Sequence, residues 1–244
     1  MRFQTPLVPA RLIRRYKRFL ADVALEETGQ EVTVHCPNPG AMLGLKDDGL
    51  RVWLEPNDDP KKKLKYGWRV AELPDEQFAC IDTSLPNRVV KEALLSGSIA
   101  ELANYKTVRP EVPYGTGSRI DFLLTQDGLP DAYVEVKSVT LRREGNWAEF
   151  PDCVTARGAK HLQELSQIAQ SGARAAMLYL VSRTDCTRLK MAADLDPTYA
   201  REFDHARANG VEMLCYASTI SPHEMSLTHA LPVDPSPQGG ARLV

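Results

Sequence analysis

Charged residues interrupt two otherwise oily runs in the middle of this chain. Residues 118–124 read Ser-Arg-Ile-Asp-Phe-Leu-Leu, and residues 132–141 read Ala-Tyr-Val-Glu-Val-Lys-Ser-Val-Thr-Leu. An Asp127-Gly128 step and Pro130 lie between them, so the pair predicts a β-hairpin. Period-2 alternation puts Glu135 and Lys137 on one face, and a turn of three or five residues brings Asp121 opposite or diagonal to Glu135 on that face. Opposed side chains lie roughly 5 Å apart at Cβ, close enough for two carboxylates to share one Mg2+ or Mn2+ ion at about 2.1 Å from their oxygens, with an ammonium beside it. That grouping suits metal-assisted phosphodiester hydrolysis, in which the ion polarises the phosphate and acidifies a bound water while the lysine orients that water or offsets developing charge. The competing reading is a cross-strand Lys-Glu pair on a solvated sheet face. Apolar crowding by Tyr133, Val134, Val136 and Val139 favours a site.

The arrangement resembles the PD-(D/E)XK nuclease core, with Asp121 as its first acid and Glu135-Val136-Lys137 as its E-x-K. Asp121, Glu135 and Lys137 are therefore the candidate catalytic set, and Asp121 and Glu135 the candidate metal ligands. Glu92, on a helix expected over residues 87–95, is a further candidate ligand acting through water, although most helix glutamates face solvent.

The elements that must hold these residues divide the chain in two. Residues 1–84 carry closely spaced short strands at 19–25, 31–36, 50–54, 68–73 and 77–82 without helices between them, which suggests a small OB-like β-barrel. Residues 85–232 give the 87–95 helix, a strand at 108–112, the hairpin, a helix at 159–171, an apolar strand at 175–181, a helix at 196–209 and a strand at 211–217. This succession predicts an α/β domain with a mixed sheet, and an α+β protein as a whole. From Pro232 onward, three prolines, two glycines and little apolar content mark residues 233–244 as a disordered tail.

Several groups outside the hairpin could meet phosphate. Arg14, Arg15 and Arg18 interleave with Tyr16 and Phe19, and Lys61, Lys62, Lys63 and Lys65 precede Tyr66 and Trp68, a pattern that suits a backbone-tracking, base-stacking surface or, equally, a solvated basic edge. His35-Cys36-Pro37-Asn38-Pro39-Gly40 is either a rigid loop presenting Asn38 or a plain tight turn. Arg157, Lys160 and His161 crowd the start of the second helix, where positive side chains oppose the macrodipole and so suggest an anion site. Arg119 flanks Asp121.

A net charge of −2 over 244 residues gives no global attraction for nucleic acid, so binding must come from such local patches. No helix-turn-helix stands out, which points to DNA contact without sequence specificity. Five cysteines without a C-x-x-C suggest a reduced, cytoplasmic chain. No signal-like or 18-residue apolar run is present, so no membrane partner is expected. A homodimer is compatible with the sequence but not required by it.

Taken together, the chain resembles the sugar fermentation stimulation protein A family. The matching segments are Arg15-Tyr16-x-Arg18-Phe19-Leu20-Ala21-Asp22, His35-Cys36-Pro37-Asn38 with Gly40 and Met42, Ser118-Arg119-Ile120-Asp121-Phe122, residues 134–140, Phe150-Pro151-Asp152, and Arg157-Gly158-x-Lys160-His161-Leu162-x-Glu164-Leu165. The resemblance implies an N-terminal OB-like domain, a C-terminal domain of PD-(D/E)XK type, sequence-independent DNA binding and a regulatory role in sugar (maltose) metabolism. Where the family often has Asn-Thr-Gly, this chain has Asn38-Pro39-Gly40, which removes a hydroxyl and a backbone N–H. Cys153 replaces a more usual alanine, a change of small volume.

Overall fold

A computed structural model describes residues 1–115 and 117–236. Its N-terminal part is a barrel built from β1 (Val8–Tyr16), β2 (Leu20–Leu25), β3 (Glu31–His35), β4 (Arg51–Pro56) and β5 (Tyr66–Leu73), with β6 (Gln77–Cys80) on the outer edge of β5. The strands run in the order β3-β2-β1-β4-β5, and a parallel His35↔Gly67 pairing between β3 and β5 closes the ring. Alternating Ala21, Val23 and Leu25 point inward with Leu12, Val34, Val52, Leu54 and Trp68, so the barrel is filled by side chains. The OB-like expectation describes this architecture.

The sequence reading has no strand before residue 19, yet β1 is the strand on which β2 and β4 both pair. Only Ala10 and Leu12 of its nine residues are buried, and a register shift between Leu12 and Arg14 breaks its alternation. Both features erase the period-2 signal.

The C-terminal part is a six-stranded mixed sheet in the order β14-β13-β11-β9-β8-β7, formed by β7 (Thr107–Tyr114), β8 (Ser118–Thr125), β9 (Ala132–Val139), β11 (Arg174–Val181), β13 (Glu212–Ile220) and β14 (Met225–Ala230). The pairs β9–β11 and β11–β13 are parallel and the rest antiparallel. A small parallel pair, β10 (Trp147–Phe150) with β12 (Arg188–Met191), lies beside it. Neither β14 nor this pair is anticipated by the sequence pattern.

Helix α1 (Leu85–Leu95) packs on one sheet face through Val89, Val90, Ala93 and Leu94, sharing a core with Phe122, Val134, Val136 and Leu178. That core also receives Leu7, Val70 and Cys80 from the barrel side. Helices α2 (Ala156–Gln170) and α3 (Pro197–Ala208) cover the other face through Leu162, Leu165, Tyr199 and Phe203, against Ile120, Val139, Met177 and Tyr179.

The start of α2 is fixed tightly. Thr155 caps it by accepting the Gly158 N–H at 3.1 Å, and buried Asp196 accepts the Thr155 N–H at 2.8 Å and the Tyr199 N–H at 2.9 Å, tying the starts of α2 and α3 together. A Cβ on Gly158 would fall 2.9 Å from the Thr155 side chain and 3.0 Å from Tyr199, so this close approach requires glycine.

The sequence reading ends the folded chain at residue 232. Val233 still bridges Leu189, and the Asp234 N–H donates to the Leu189 carbonyl at 2.8 Å. The rest of the expected tail, residues 237–244, lies outside the described residues.

Candidate functional site

The strand pairing of β8 with β9 runs through Phe122↔Val134, Leu123↔Tyr133 and Leu124↔Ala132. Beyond it, Asp121 substitutes its own side chain for the ladder, since Oδ2 accepts the Val136 N–H at 2.8 Å. Its Oδ1 accepts from Asn87 Nδ2 at 2.7 Å, a contact from α1. Burial and the nearby Glu135 charge push the Asp121 carboxyl above its ordinary range, against the opposing pull of the Val136 N–H, Asn87 and Lys137.

Glu135 is 3% exposed. Its Oε1 accepts from Lys137 Nζ at 2.6 Å and from His161 Nδ1. Arg157 Nε donates to the other ring nitrogen, Nε2, at 3.3 Å, which places the imidazole proton on Nδ1, facing the carboxylate. Burial raises the Glu135 carboxyl, but the His161 hydrogen bond and the Lys137 charge together outweigh it and hold the group below its usual value. The second oxygen, Oε2, is buried without a hydrogen-bond partner.

That oxygen is the test of whether the site suits a metal. A buried carboxylate oxygen with no donor is costly unless something positive meets it. Two carboxylates side by side, one disfavoured in its charged form, make a hard-oxygen donor pair suited to a divalent cation that fills its remaining positions with water. Among the described residues no set of three or more His, Cys, Asp and Glu gathers as a full ligand cage. The fit therefore rests on Asp121 and Glu135 alone.

Glu92 does not join them. Its side chain is 59% exposed and pairs with the Met1 amino group at 2.8 Å. Asn87 and Glu92 are five residues apart on one helix, about 140° around its axis, so α1 can turn only one of them towards Asp121. The helix sends an amide instead of an acid.

The phosphate candidates separate into kinds. Arg14 is well exposed, pairs with Asp22 at 2.8 Å and stacks over Tyr16 at 5.1 Å. Arg15 is committed internally, donating to the carbonyls of Arg18, Asn38 and Gly40 at 2.9, 2.7 and 3.1 Å, so it staples the 36–42 loop and does not present itself to a ligand. Asn38 is buried and accepts the Gly40 N–H at 2.8 Å. Arg119 is exposed and donates to the Glu111 carbonyl at 2.6 Å. Lys160 bonds Ser118 and Glu164, each at 3.4 Å. His161, expected with Arg157 and Lys160 as part of an anion site, is 4% exposed and hydrogen-bonds Glu135.

Two features have no signal in the sequence. Tyr114, on β7, is buried with its hydroxyl unpartnered, and burial together with the Glu135 and Glu164 charges pushes that phenol up. A cleft of about 430 Å3 opens between the 36–42 loop of the barrel and the far end of β9, with Arg18 and Asn38 on one side and Ser138, Thr140, Asp152 and Thr155 on the other. Asp152 reaches across to accept the Met42 N–H at 3.3 Å.

The barrel joined to a mixed-sheet domain, with Asp121, Glu135 and Lys137 carried on one hairpin, defines a two-domain protein, an OB barrel followed by an α/β domain with a mixed sheet. Comparison with known proteins agrees. Residues 13–81 match the SfsA N-terminal OB domain, and residues 84–224 match the sugar fermentation stimulation protein RE domain. The chain is 68% identical to the sugar fermentation stimulation protein homolog of Dinoroseobacter shibae over 98% of both chains. It is 67% identical to the homolog of Jannaschia sp. over 98% of this chain and 99% of the relative. It also superposes on Pyrococcus furiosus SfsA, solved in complex with Ca2+, with a TM-score of 0.84 at 26% identity, covering 96% of this chain and 98% of that one. The chain belongs to the sugar fermentation stimulation protein family. No helix among the described residues is long and apolar enough to cross a membrane.

Proposed function

We propose that this protein is a cytoplasmic, divalent-metal-dependent DNA-binding protein that hydrolyses phosphodiester bonds without sequence specificity. The observation that carries this reading is the buried, unpartnered Glu135 Oε2 beside Asp121, a carboxyl whose ionised form is disfavoured until a cation compensates it. The Ca2+ complex of the Pyrococcus relative supports a divalent ion in this family, with Mg2+ or Mn2+ as the working metal.

Asp121 and Glu135 would hold the metal, which when bound supplies Lewis-acid polarisation of the phosphate and a more acidic water. Asn87 and the Val136 N–H fix the Asp121 carboxylate in one orientation. His161, itself held by Arg157, fixes Glu135. The Lys137 ammonium lies beside Glu135 Oε1 and is placed to orient an attacking water or offset charge on the phosphate. Arg157 and Lys160 stand on the same helix face, at the end where a phosphate is favoured.

Incubation of single- and double-stranded DNA with Mg2+ or Mn2+ is the test. The wild type should cleave, and Lys137→Ala should lose about 10²–10³-fold in rate. Equal inertness of both proteins on every substrate rejects hydrolysis. One observation favours a second reading, a non-catalytic DNA-binding regulator of sugar (maltose) metabolism: Lys137, the group that would assist the water, is engaged with Glu135 Oε1 at 2.6 Å. DNA affinity that is unaffected by metal and by Lys137→Ala would select it.

A further inference from the structure

Resting on the nucleic-acid reading above, the geometry points to the interdomain cleft as a pocket for one unpaired nucleotide, and hence to single-stranded nucleic acid as the favoured ligand. The cleft begins immediately beyond Lys137, since Ser138 and Thr140 of the same strand run form part of its wall. Ser138 and Thr140 lie on the opposite side of this strand run from Glu135 and Lys137, so a strand whose phosphate sits at Asp121, Glu135 and Lys137 would pass round the end of β9 to bring its next nucleotide to the cleft mouth. At about 430 Å3 the space falls within the range of small-ligand pockets. Its lining is mixed in the way a nucleotide requires: Leu141, Phe150 and Pro151 are apolar, while Asn38, Thr140 and Thr155 offer hydrogen-bonding groups.

A second, independent observation concerns the rim. Five large apolar side chains stand exposed among the described residues: Phe19, Leu43, Leu95, Leu129 and Val154. One of them, Val154, 73% exposed, lines the cleft directly, and a second, Phe19, 48% exposed, is the chain neighbour of the cleft-lining Arg18. Exposed apolar groups gathered at a polar cleft mark a contact surface. An exposed phenyl ring next to an arginine supplies the stacking platform and backbone cation that single strands use and that paired, stacked bases cannot reach.

The barrel and the α/β domain hold the two walls in fixed relation. Arg15 locks the 36–42 loop, Asp152 accepts the Met42 N–H, and the Thr83 hydroxyl donates to the Pro37 carbonyl at 3.0 Å. The pocket is thus preformed.

Fluorescence anisotropy with a labelled oligothymidine strand and a blunt duplex, both with Ca2+ present, tests the assignment. The wild type should bind the single strand more tightly than the duplex. Val154→Trp, which fills the mouth from a solvent-facing position, and Phe19→Ala, which removes the platform, should each weaken single-strand binding by about tenfold. Both should leave duplex affinity and Ca2+ binding unchanged. Equal losses on both ligands, or no loss on the single strand, would overturn the pocket. A wild type that binds only duplex overturns it while leaving the proposed function standing. A wild type that binds Ca2+ but neither nucleic acid removes both.

Discussion

Two buried glutamates in the same domain are treated in opposite ways. Glu149, 1% exposed, is fully occupied: Oε1 accepts the Arg143 backbone N–H at 3.1 Å, and Oε2 accepts from the Arg143 guanidinium through Nε at 3.0 Å and through Nη2. Arg143 in turn bonds Asp194, which holds that carboxyl below its usual range. Glu135 is as deeply buried, yet only one of its oxygens is engaged, and its acidic neighbour Asp121 is pushed the other way, upward. A network that only holds a fold together satisfies its charges internally. One that leaves an oxygen unpartnered next to a second carboxylate keeps a place for a positive ligand.

The largest effect should come from breaking the closed network. Arg143→Ala leaves Glu149 buried and uncompensated, and urea denaturation should show a loss of about 3–5 kcal/mol. Filling the open site sharpens the contrast. Ca2+ at about one hundred times its dissociation constant should stabilise the wild type by roughly 2.7 kcal/mol, and a shift in denaturation midpoint should be absent in Glu135→Gln but retained in an Arg143 variant.

A smaller effect separates the two carboxylates by pH. Asp121, with its folded-state value raised by burial and by Glu135, loses its contribution to stability as pH rises through that value. Without metal, Asp121→Asn should therefore be more stable than wild type at neutral pH, by about 1 kcal/mol. That advantage should fade as pH falls to the ordinary carboxylate range. Glu135 is held low by His161 and Lys137 against its burial, so its contribution is present above the ordinary glutamate range and lost as pH falls through the depressed value. Thermal melts across pH on both variants should show these opposite slopes. The smallest stability change belongs to the barrel surface, where Arg14→Ala should stay within about 0.5 kcal/mol. If Arg14 meets phosphate, the same change should lower the salt slope of DNA binding by about one.

Much of this contrast is absent from the sequence for a definite reason. The hairpin is legible because alternation over a few residues reports which side chains share a face, while its register, with Asp121 opposite or diagonal to Glu135, is settled only by the strand pairing. The apolar stripes of α1 and α2 were legible in the same way. β1 was not, because a bulge and four arginine or lysine residues near its end overwrite a strand signal that only its partners β2 and β4 stabilise. The sequence offers Asn87 only as a helix start and Glu92 as the acid, whereas the direction of the α1 axis relative to β8 selects Asn87. His161 looked like a surface cation because its helix position says nothing about which strand lies beneath it.

By itself, then, the order of residues determined that Glu135 and Lys137 would share a face of one strand, with Asp121 on the strand before it, since residues two apart in a strand have no choice of side. Which groups meet that face was decided only in three dimensions. Asn87 reaches Asp121 from α1, His161 reaches Glu135 from α2 with Arg157 behind it, and the barrel loop closes the adjoining cleft, through contacts between segments far apart in the chain. Those contacts follow from how helices and barrel pack on the sheet, and packing angles leave no periodic trace in the sequence.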